Sequence, residues 1–458
     1  MEDEGQKAIS TRWIITEKIK SGKKICKARL VARGFEEEME EWEKDAPTCN
    51  AETLKFCLSI IAMKGWKCNT IDVKTAYLQG EIIQREVYLK PPREGNWHGL
   101  WKLRKTVYGL KDAAKAWYCK VVSVIKEMGG EKSRLEPNIF FWKDNRGKLK
   151  GLLCSHVDDF CFGGTEEFLE EMKMMRKLLK IGEQEEGSFK YIGVNVKQGK
   201  DEISIEQKRY IESLKEPEAK RYKGLKILNA QELTEYRSMV GQLNWIAGHT
   251  MPELSYDVSD LSRSFKEGTC VDMRNLIKKV RKAKMINGTI VLGKVEEKDI
   301  FWEVYADASF GNIEDGSTQI GYIISLSDGK KRCPIWWKSR KARRVAKSTI
   351  EAEALSLGES IEGAIYFNSL WKEVTGERKL NVKVKTDSKT LTRAIKSATG
   401  VSSKRLKIDI ACIKEAIEME EITEVEWISG SEQVADVLTK RGVSGDLMRK
   451  YVEGKKRD

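Results

Sequence analysis

A chain of 458 residues with 83 Lys and Arg against 70 Asp and Glu carries a net charge of +13, and 40% of its residues are hydrophobic. That is too apolar for a disordered chain and long enough for two to four domains at roughly 100–200 residues each. Ten Cys without a Cys-x-x-Cys pair, and only three His (His98, His156, His249), exclude a zinc site of familiar spacing. No apolar run approaches a membrane span, and the acidic opening Met1-Glu2-Asp3-Glu4-Gly5 is unlike a signal peptide. The Cys lie scattered in apolar segments, as reduced core residues do, so the expected location is intracellular, in cytoplasm and/or nucleus. The basic excess suits a polyanion partner, although solubility explains it equally well.

Residues 11–35 alternate with period two: Cys26, Ala28, Leu30 and Ala32 on one face, Lys27, Arg29 and Arg33 on the other. This predicts a half-buried strand with a basic outer surface, or an ordinary solvated face. Glu36 to Glu43 is an acidic run suited to a loop or a solvated helix edge. Leu54, Leu58, Ile61 and Ala62 recur at helical spacing over 51–64, and Asp72 follows in a β-branched run. Residues 106–128 read as helical, and Asp144-Asn145-Arg146-Gly147 as a hairpin turn. The next run, Leu152 to Gly164, places Asp158 and Asp159 between short apolar stretches, as in a buried hairpin with acids at its tip. Paired carboxylates on an apolar hairpin are costly unless a cation sits between them. A polar turn that happens to contain Asp-Asp is the equal alternative on this stretch alone. Asp72 adds a third carboxylate at a strand end, the minimum for two metals clamping an in-line phosphoryl transfer.

Four stretches make a specific combination: Lys27-Ala28-Arg29-Leu30-Val31-Ala32-Arg33-Gly34-Phe35, Asp72-Val73-Lys74-Thr75-Ala76-Tyr77-Leu78, Tyr108-Gly109-Leu110-Lys111 and Val157-Asp158-Asp159. In that order and spacing they resemble the reverse transcriptase of copia-type retrotransposons, over nearly the whole chain from about residue 10. The resemblance implies that Asp72, Asp158 and Asp159 hold the polymerase metals. It also implies that Lys27 and Arg29 meet nucleotide phosphates and that Tyr77 is the aromatic gate against a 2′-hydroxyl. A core tyrosine is the alternative at residue 77. The chain departs from the family in three places. Asp112-Ala113-Ala114 stands where Gln-Ala-Pro is usual, His156 where Tyr is usual, and Met251 where Arg commonly precedes the Pro.

Glu166–Lys180 reads as an amphipathic helix, and Phe189-Lys190-Tyr191-Ile192-Gly193 resembles the segment that grips the primer end, with Lys190 and Tyr191 as nucleic-acid contacts. Thumb helices are expected over 231–266 and a basic connection over 267–298. From residue 301, strands ending in Asp307 and Asp387, a helix carrying Glu351 and Glu353, and a final helix opened by Ala435-Asp436 resemble ribonuclease H in their order. Asp307, Glu353, Asp387 and Asp436 are then its four acids, converging on two metals. At about 100° per residue the two Glu point some 200° apart, and Glu353 lies beside the stripe of Ala354, Leu357, Ile361 and Ala364. Glu353 is therefore expected in the site and Glu351 toward solvent. Lys338, Arg340, Lys341, Arg343, Arg344 and Lys347 form the densest basic cluster, and Lys338, Arg340, Arg343 and Arg344 are the expected contacts to hybrid phosphates.

The expected architecture is α+β and multidomain. Fingers and palm span 1–225, thumb and connection 226–298, and a ribonuclease H-like α/β domain 299–458. The expected function is RNA-directed DNA polymerase with ribonuclease H activity, from a copia-type polyprotein. Each site would use two Mg²⁺ (or Mn²⁺), and the partners would be an RNA template, a DNA primer, an RNA–DNA hybrid and dNTPs, without a membrane. A catalytically decayed or host-retained fragment that only binds nucleic acid is the alternative. The presence of every acid favours activity, and the three departures favour decay.

Overall fold

A computed structural model of the protein describes residues 7–20, 23–37, 46–312, 315–397, 401 and 403–455. Most of the acidic run Glu36 to Glu43 thus lies outside the described residues. Packing divides the chain into two compact units, residues 1–49 with 69–185, and residues 50–68 with 186–458.

The first unit is built on a six-stranded sheet. At its centre the strand Asp159–Gly164 lies between Asn69–Val73 and Leu149–His156, antiparallel to both. The centre is buried on both faces, which is why its strands read as apolar runs. The helix Ala113–Glu127 packs on it through Trp117, Val121, Val124 and Ile125. The helix begins later than the apolar pattern indicated, because Gly109 stands at φ +93°. A Cβ there would lie 2.1 Å from the Ala32 carbonyl oxygen, and one on Gly34 would lie 2.0 Å from that of Gly109. Two of the sequence motifs therefore cross backbone to backbone, and glycine is needed on both sides. The Asp144–Gly147 turn forms as expected, with the Asp144 carboxylate accepting the Arg146 and Lys148 N–H groups.

Residues 11–35 differ from expectation. They form a two-stranded ribbon, Thr11–Lys20 paired with Lys23–Ala32. Its apolar face is covered only at Ala32, while Trp13, Ile15 and Cys26 are exposed, because among the described residues no third strand pairs with the ribbon. The span expected as one helix over 166–180 is two, Glu166–Met172 and Met175–Leu178.

The second unit holds two sheets. An antiparallel four-stranded sheet takes Ser188–Tyr191, Val194–Gln198, Glu202–Glu206 and Thr289–Gly293 in that order. Helices Ala230–His249 and Cys270–Ile286 each open with a reciprocal cap, Asn229 with Glu232 and Thr269 with Asp272. Their apolar faces share one core with Ser255–Leu261. The five-stranded sheet runs Arg332–Lys341, Gln319–Ser327, Phe301–Ser309, Val382–Thr386, Glu424–Trp427. The first three strands are antiparallel and the last two parallel to their neighbours, and the helix Thr349–Thr375 packs across them. This is the ribonuclease H-like arrangement. The last sequence motif is not a helix start: Asp436 sits in the 3₁₀ turn Val434–Leu438, and the final helix is Asp446–Val452. Among the described residues no helix is long and apolar enough to cross a membrane.

Ala51–Lys64 belongs to this second unit, and it is buried on almost every side rather than along one stripe. Lys55 lies in it with its ammonium 3.4 Å from the Trp337 ring centroid and 3.3 Å from the Gly248 carbonyl oxygen. Burial lowers Lys55 to about 7. Burial, and then the charge of Lys55, lowers the neighbouring His249 to about 4. The imidazole packs on Trp245 and is hydrogen-bonded to that residue's carbonyl at 2.7 Å. An unfolded chain takes up a proton on His249 below about pH 6.5, whereas the folded chain does so only near pH 4. Stability contributed by the neutral ring is therefore present at pH 7 and is lost as the pH falls from about 6.5 to about 4, by up to about 3 kcal/mol. Denaturant melts of the parent and of His249→Gln over that interval are expected to show a shallower acid slope in the variant.

Candidate functional site

The first acid group forms where the central hairpin turns. Val157 and Asp158 are the two turn residues, and Val157 adopts φ +58°, strained for a β-branched side chain. Two outside bonds hold it there: Trp117 Nε1 donates to the Val157 carbonyl at 2.6 Å, and the Val73 N–H to the Asp158 carbonyl at 2.8 Å. Asp159 pairs with Asp72 on one neighbouring strand and with His156 on the other. Directly opposed residues share a face, so His156, Asp159 and Asp72 form a row beside the Asp158 turn. His156 Nδ1 lies 3.0 Å from the Cys49 carbonyl oxygen.

Burial first, and then the charge of Asp72, holds Asp158 above the usual carboxylate range, and Lys27 and Arg29 oppose that shift. Those two cations line a cavity of about 370 Å³ together with Thr75, Leu78, Trp101 and Tyr108. Tyr77 stands edge-on to Tyr108 with ring centroids 4.8 Å apart, and burial followed by the Asp158 charge raises its hydroxyl pKa. Asp112, one of the departures, forms an ion pair with Arg85 at 2.9 Å. One position was missed by sequence reasoning. A Cβ on Gly182 would lie 2.8 Å from Asp72 Oδ2 and 2.9 Å from the Asp72 carbonyl oxygen, so glycine leaves the room that the carboxylate uses. An isolated Gly at the start of the strand Ile181–Glu186 carries no such signal in sequence.

The second acid group is tighter. The carboxylate oxygens of Asp307, Glu353 and Asp387 lie within 4.8 Å of one another, and among the described residues no other trio of acids, His or Cys comes as close. Asp307 is 1% exposed and Glu353 7%. Burial raises Asp307 to about 7, and burial with the charges of Asp307 and Asp387 raises Glu353 well above its ordinary range. Asp436 shares Lys440 with Asp307, and it too is raised by burial first, with Lys440 opposing. Thr439 donates its hydroxyl to Asp307 Oδ2. Gly321, the strand partner of Asp307, admits this segment: a Cβ there would lie 2.6 Å from Leu438 Cβ. Thr439, Lys440 and Gly321 have no sequence signal of their own, because Thr, Lys and Gly are common and only the packed neighbour gives them a role.

Glu351 corrects one expectation. It is 4% exposed rather than solvated. Its carboxylate accepts the Ser403 hydroxyl at 2.6 Å and the Lys347 N–H at 2.8 Å, which lower its pKa and make it a cap for the first helical turn. A second correction concerns Tyr191, which is 1% exposed; its ring packs in the sheet and is not available to nucleic acid, whereas Lys190 is exposed. Of the basic cluster, Arg340 pairs with Glu359 and Arg344 with Asp409, while Lys338 and Arg343 are exposed. Every donor in the two acid groups is a carboxylate oxygen, which fits a hard divalent cation such as Mg²⁺ or Mn²⁺ and not a zinc site.

Residues 2–219 match the family model described as reverse transcriptase (RNA-dependent DNA polymerase). The chain is 27% identical over 395 residues to the retrovirus-related Pol polyprotein from transposon RE1 of Arabidopsis thaliana, which covers 80% of this chain and 26% of that protein. It is 26% identical over 473 residues to the corresponding polyprotein from transposon TNT 1-94 of Nicotiana tabacum, covering 95% of this chain and 35% of that protein. The chain thus spans 26–35% of the length of these relatives. Among solved structures, a foamy viral protease-reverse transcriptase in complex with double-stranded DNA aligns with TM-score 0.50 and 14% identity, over 90% of this chain and 64% of that one. That likeness is one of fold.

The two Glu of the long helix separate on physical grounds. Glu353→Gln removes a repelled charge, so it should raise metal-free stability while weakening Mn²⁺ binding about tenfold or more. Glu351→Gln should leave Mn²⁺ binding intact and cost about 1–2 kcal/mol through its two weakened bonds. Calorimetric titration with Mn²⁺ and thermal melts of both variants check this. The reverse pattern would overturn the assignment.

Proposed function

We propose, for a chain that belongs to the copia-type retrotransposon Pol polyproteins and carries their reverse-transcriptase region followed by a ribonuclease H-like domain, that both active sites work. One extends a DNA primer on an RNA template from dNTPs with release of pyrophosphate. The other cuts the RNA strand of RNA–DNA hybrids. The observation that carries this reading is that both acid groups keep carboxylates together at an electrostatic cost that the chain's own cations offset only in part. A decayed copy has no such constraint, and neutral or apolar residues at these positions would relieve the repulsion.

For synthesis, Asp72, Asp158 and Asp159 would hold divalent ions. Lys27 and Arg29, close enough to Asp158 to oppose its shift, would take the triphosphate. Tyr77 would sit beneath the sugar, where its ring leaves room for a deoxyribose and excludes a 2′-hydroxyl. For cleavage, Asp307, Glu353, Asp387 and Asp436 would hold the ions. When bound, divalent cations supply charge neutralisation at the phosphate and a nucleophile at neutral pH. Lys190, Lys338 and Arg343 are exposed and suited to backbone phosphates, and Arg340 and Arg344 would contribute after exchanging their carboxylate partners.

The test is a pair of assays on the full chain in Mg²⁺ or Mn²⁺: extension of a DNA primer on RNA, and digestion of a labelled RNA–DNA hybrid. Asp159→Asn should abolish extension and spare cleavage. Asp307→Asn should do the reverse. Retention of both activities in both variants would refute the site assignment. Absence of both activities in the parent, with hybrid binding intact, would favour the binding-only alternative.

Discrimination at the sugar follows from Tyr77. Tyr77→Val should admit ribonucleotides at least about tenfold more readily relative to dNTPs, since the rejected group adds only steric contact. Competitive incorporation of rNTP and dNTP at a single template position checks it. An unchanged ratio removes the gate from residue 77.

A further inference from the structure

Lys440 brings into the second acid group a cation that the chain itself supplies. Its Nζ lies 2.5 Å from Asp436 Oδ1 and 3.4 Å from Asp307 Oδ1. Its own N–H donates to the Asp436 carbonyl at 3.0 Å, so Lys440 grips Asp436 by backbone and side chain together. The side chain is 36% exposed, whereas that of Asp307 is 1% exposed. The ammonium thus stands at the outer edge of the group and has a path to water.

The four acids are therefore not equivalent. Asp307, Glu353 and Asp387 come together as a trio, which the Lys440 ammonium touches at Asp307. Asp436 is outside that trio and already carries a counter-charge. Asp307 is shared: one oxygen faces Lys440 and the other accepts the Thr439 hydroxyl. An ion using Asp436 has to displace the ammonium from its 2.5 Å partner, whereas an ion at the trio disturbs only the longer 3.4 Å contact to Asp307.

We propose that Lys440 is the built-in counter-ion of Asp436. It holds that carboxylate in place in the metal-free protein and gives way when an ion binds there. It thereby sets the affinity of the Asp436-side ion more strongly than that of the trio. The inference rests on the reading of this group as a divalent-cation site. It makes Lys440 a positioning residue, acting through Asp436. Loading is then stepwise, a first ion at the trio and a weaker second ion at Asp436.

The experiment is calorimetric titration of the full chain with Mn²⁺, without nucleic acid, in a background carrying Asp72→Asn and Asp158→Asn to silence the other acid group. The parent background should show a stronger and a weaker site. Lys440→Met should tighten the weaker site by about tenfold or more, because a neighbouring positive charge is removed at close range, and should change the stronger one by less. Lys440→Gln, which keeps a hydrogen-bond donor without the charge, should tighten it as well, and Lys440→Arg should restore the parent value. Metal-free melts should drop in Lys440→Met and Lys440→Gln and recover with Mn²⁺ by more than in the parent. If the weaker site is equally weak in all four proteins, the inference is overturned and the site reading stands. If weakening of hybrid binding is the only effect of losing Lys440, the residue is a phosphate contact and the inference is overturned in the same way. If the parent background binds no Mn²⁺ at all, both fall together.

Discussion

Carboxylates gathered out of water repel one another, and each loses hydration that nothing apolar replaces. This constraint organises both units. In the first, Asp158 is held on a strained turn beside Asp72, with Lys27 and Arg29 as the nearby opposing charges. In the second, Asp307 and Glu353 are buried against Asp387, and the proton affinity of both rises. The rest of each unit supplies a sheet centre buried on both faces, and in the second unit Thr439 and Lys440 donate to Asp307 and Asp436.

Close backbone approach is the means by which distant segments reach these acids. Gly34 and Gly109 let two motif stretches cross in the first unit, and Gly182 leaves space beside Asp72. Gly321 does the same for the 3₁₀ turn that brings Asp436, Thr439 and Lys440 to Asp307. None of these glycines touches a substrate in the proposed reading. At Gly182 a methyl group would meet Asp72 itself, and at Gly321 it would meet the Leu438–Thr439 turn beside Asp307.

Comparison of pattern with structure is instructive at particular residues. The apolar stripe Ala354, Leu357, Ile361 and Ala364 is buried as its spacing implies. That spacing put Glu351 in solvent, yet Glu351 is covered, because Ser403 and the Lys347 N–H close over it from outside the helix. Tyr191 was read from a motif as a nucleic-acid contact, and period two does not say which face of an unplaced sheet is inside. Lys55, in a helix recognised by its apolar spacing, is buried in the second unit, where the Trp337 ring and the Gly248 carbonyl meet its ammonium.

The sequence by itself determined the family resemblance, the α+β class, and the order of the strands that carry Asp72, Asp159 and Asp307 and of the strand that ends just before Asp387. Those depend on residue type and on short periods, and both are local. Only the tertiary structure decided that Asp307, Glu353 and Asp387 meet within 4.8 Å, that Asp436 comes with Lys440 attached, and that Ala51–Lys64 packs in the second unit. It also decided that the ribbon of residues 11–32 stands largely uncovered. These depend on which surfaces meet across long stretches of chain. A charge pattern read along the sequence does not contain that information, since the cost of burying a charge is set by the partners that arrive from elsewhere.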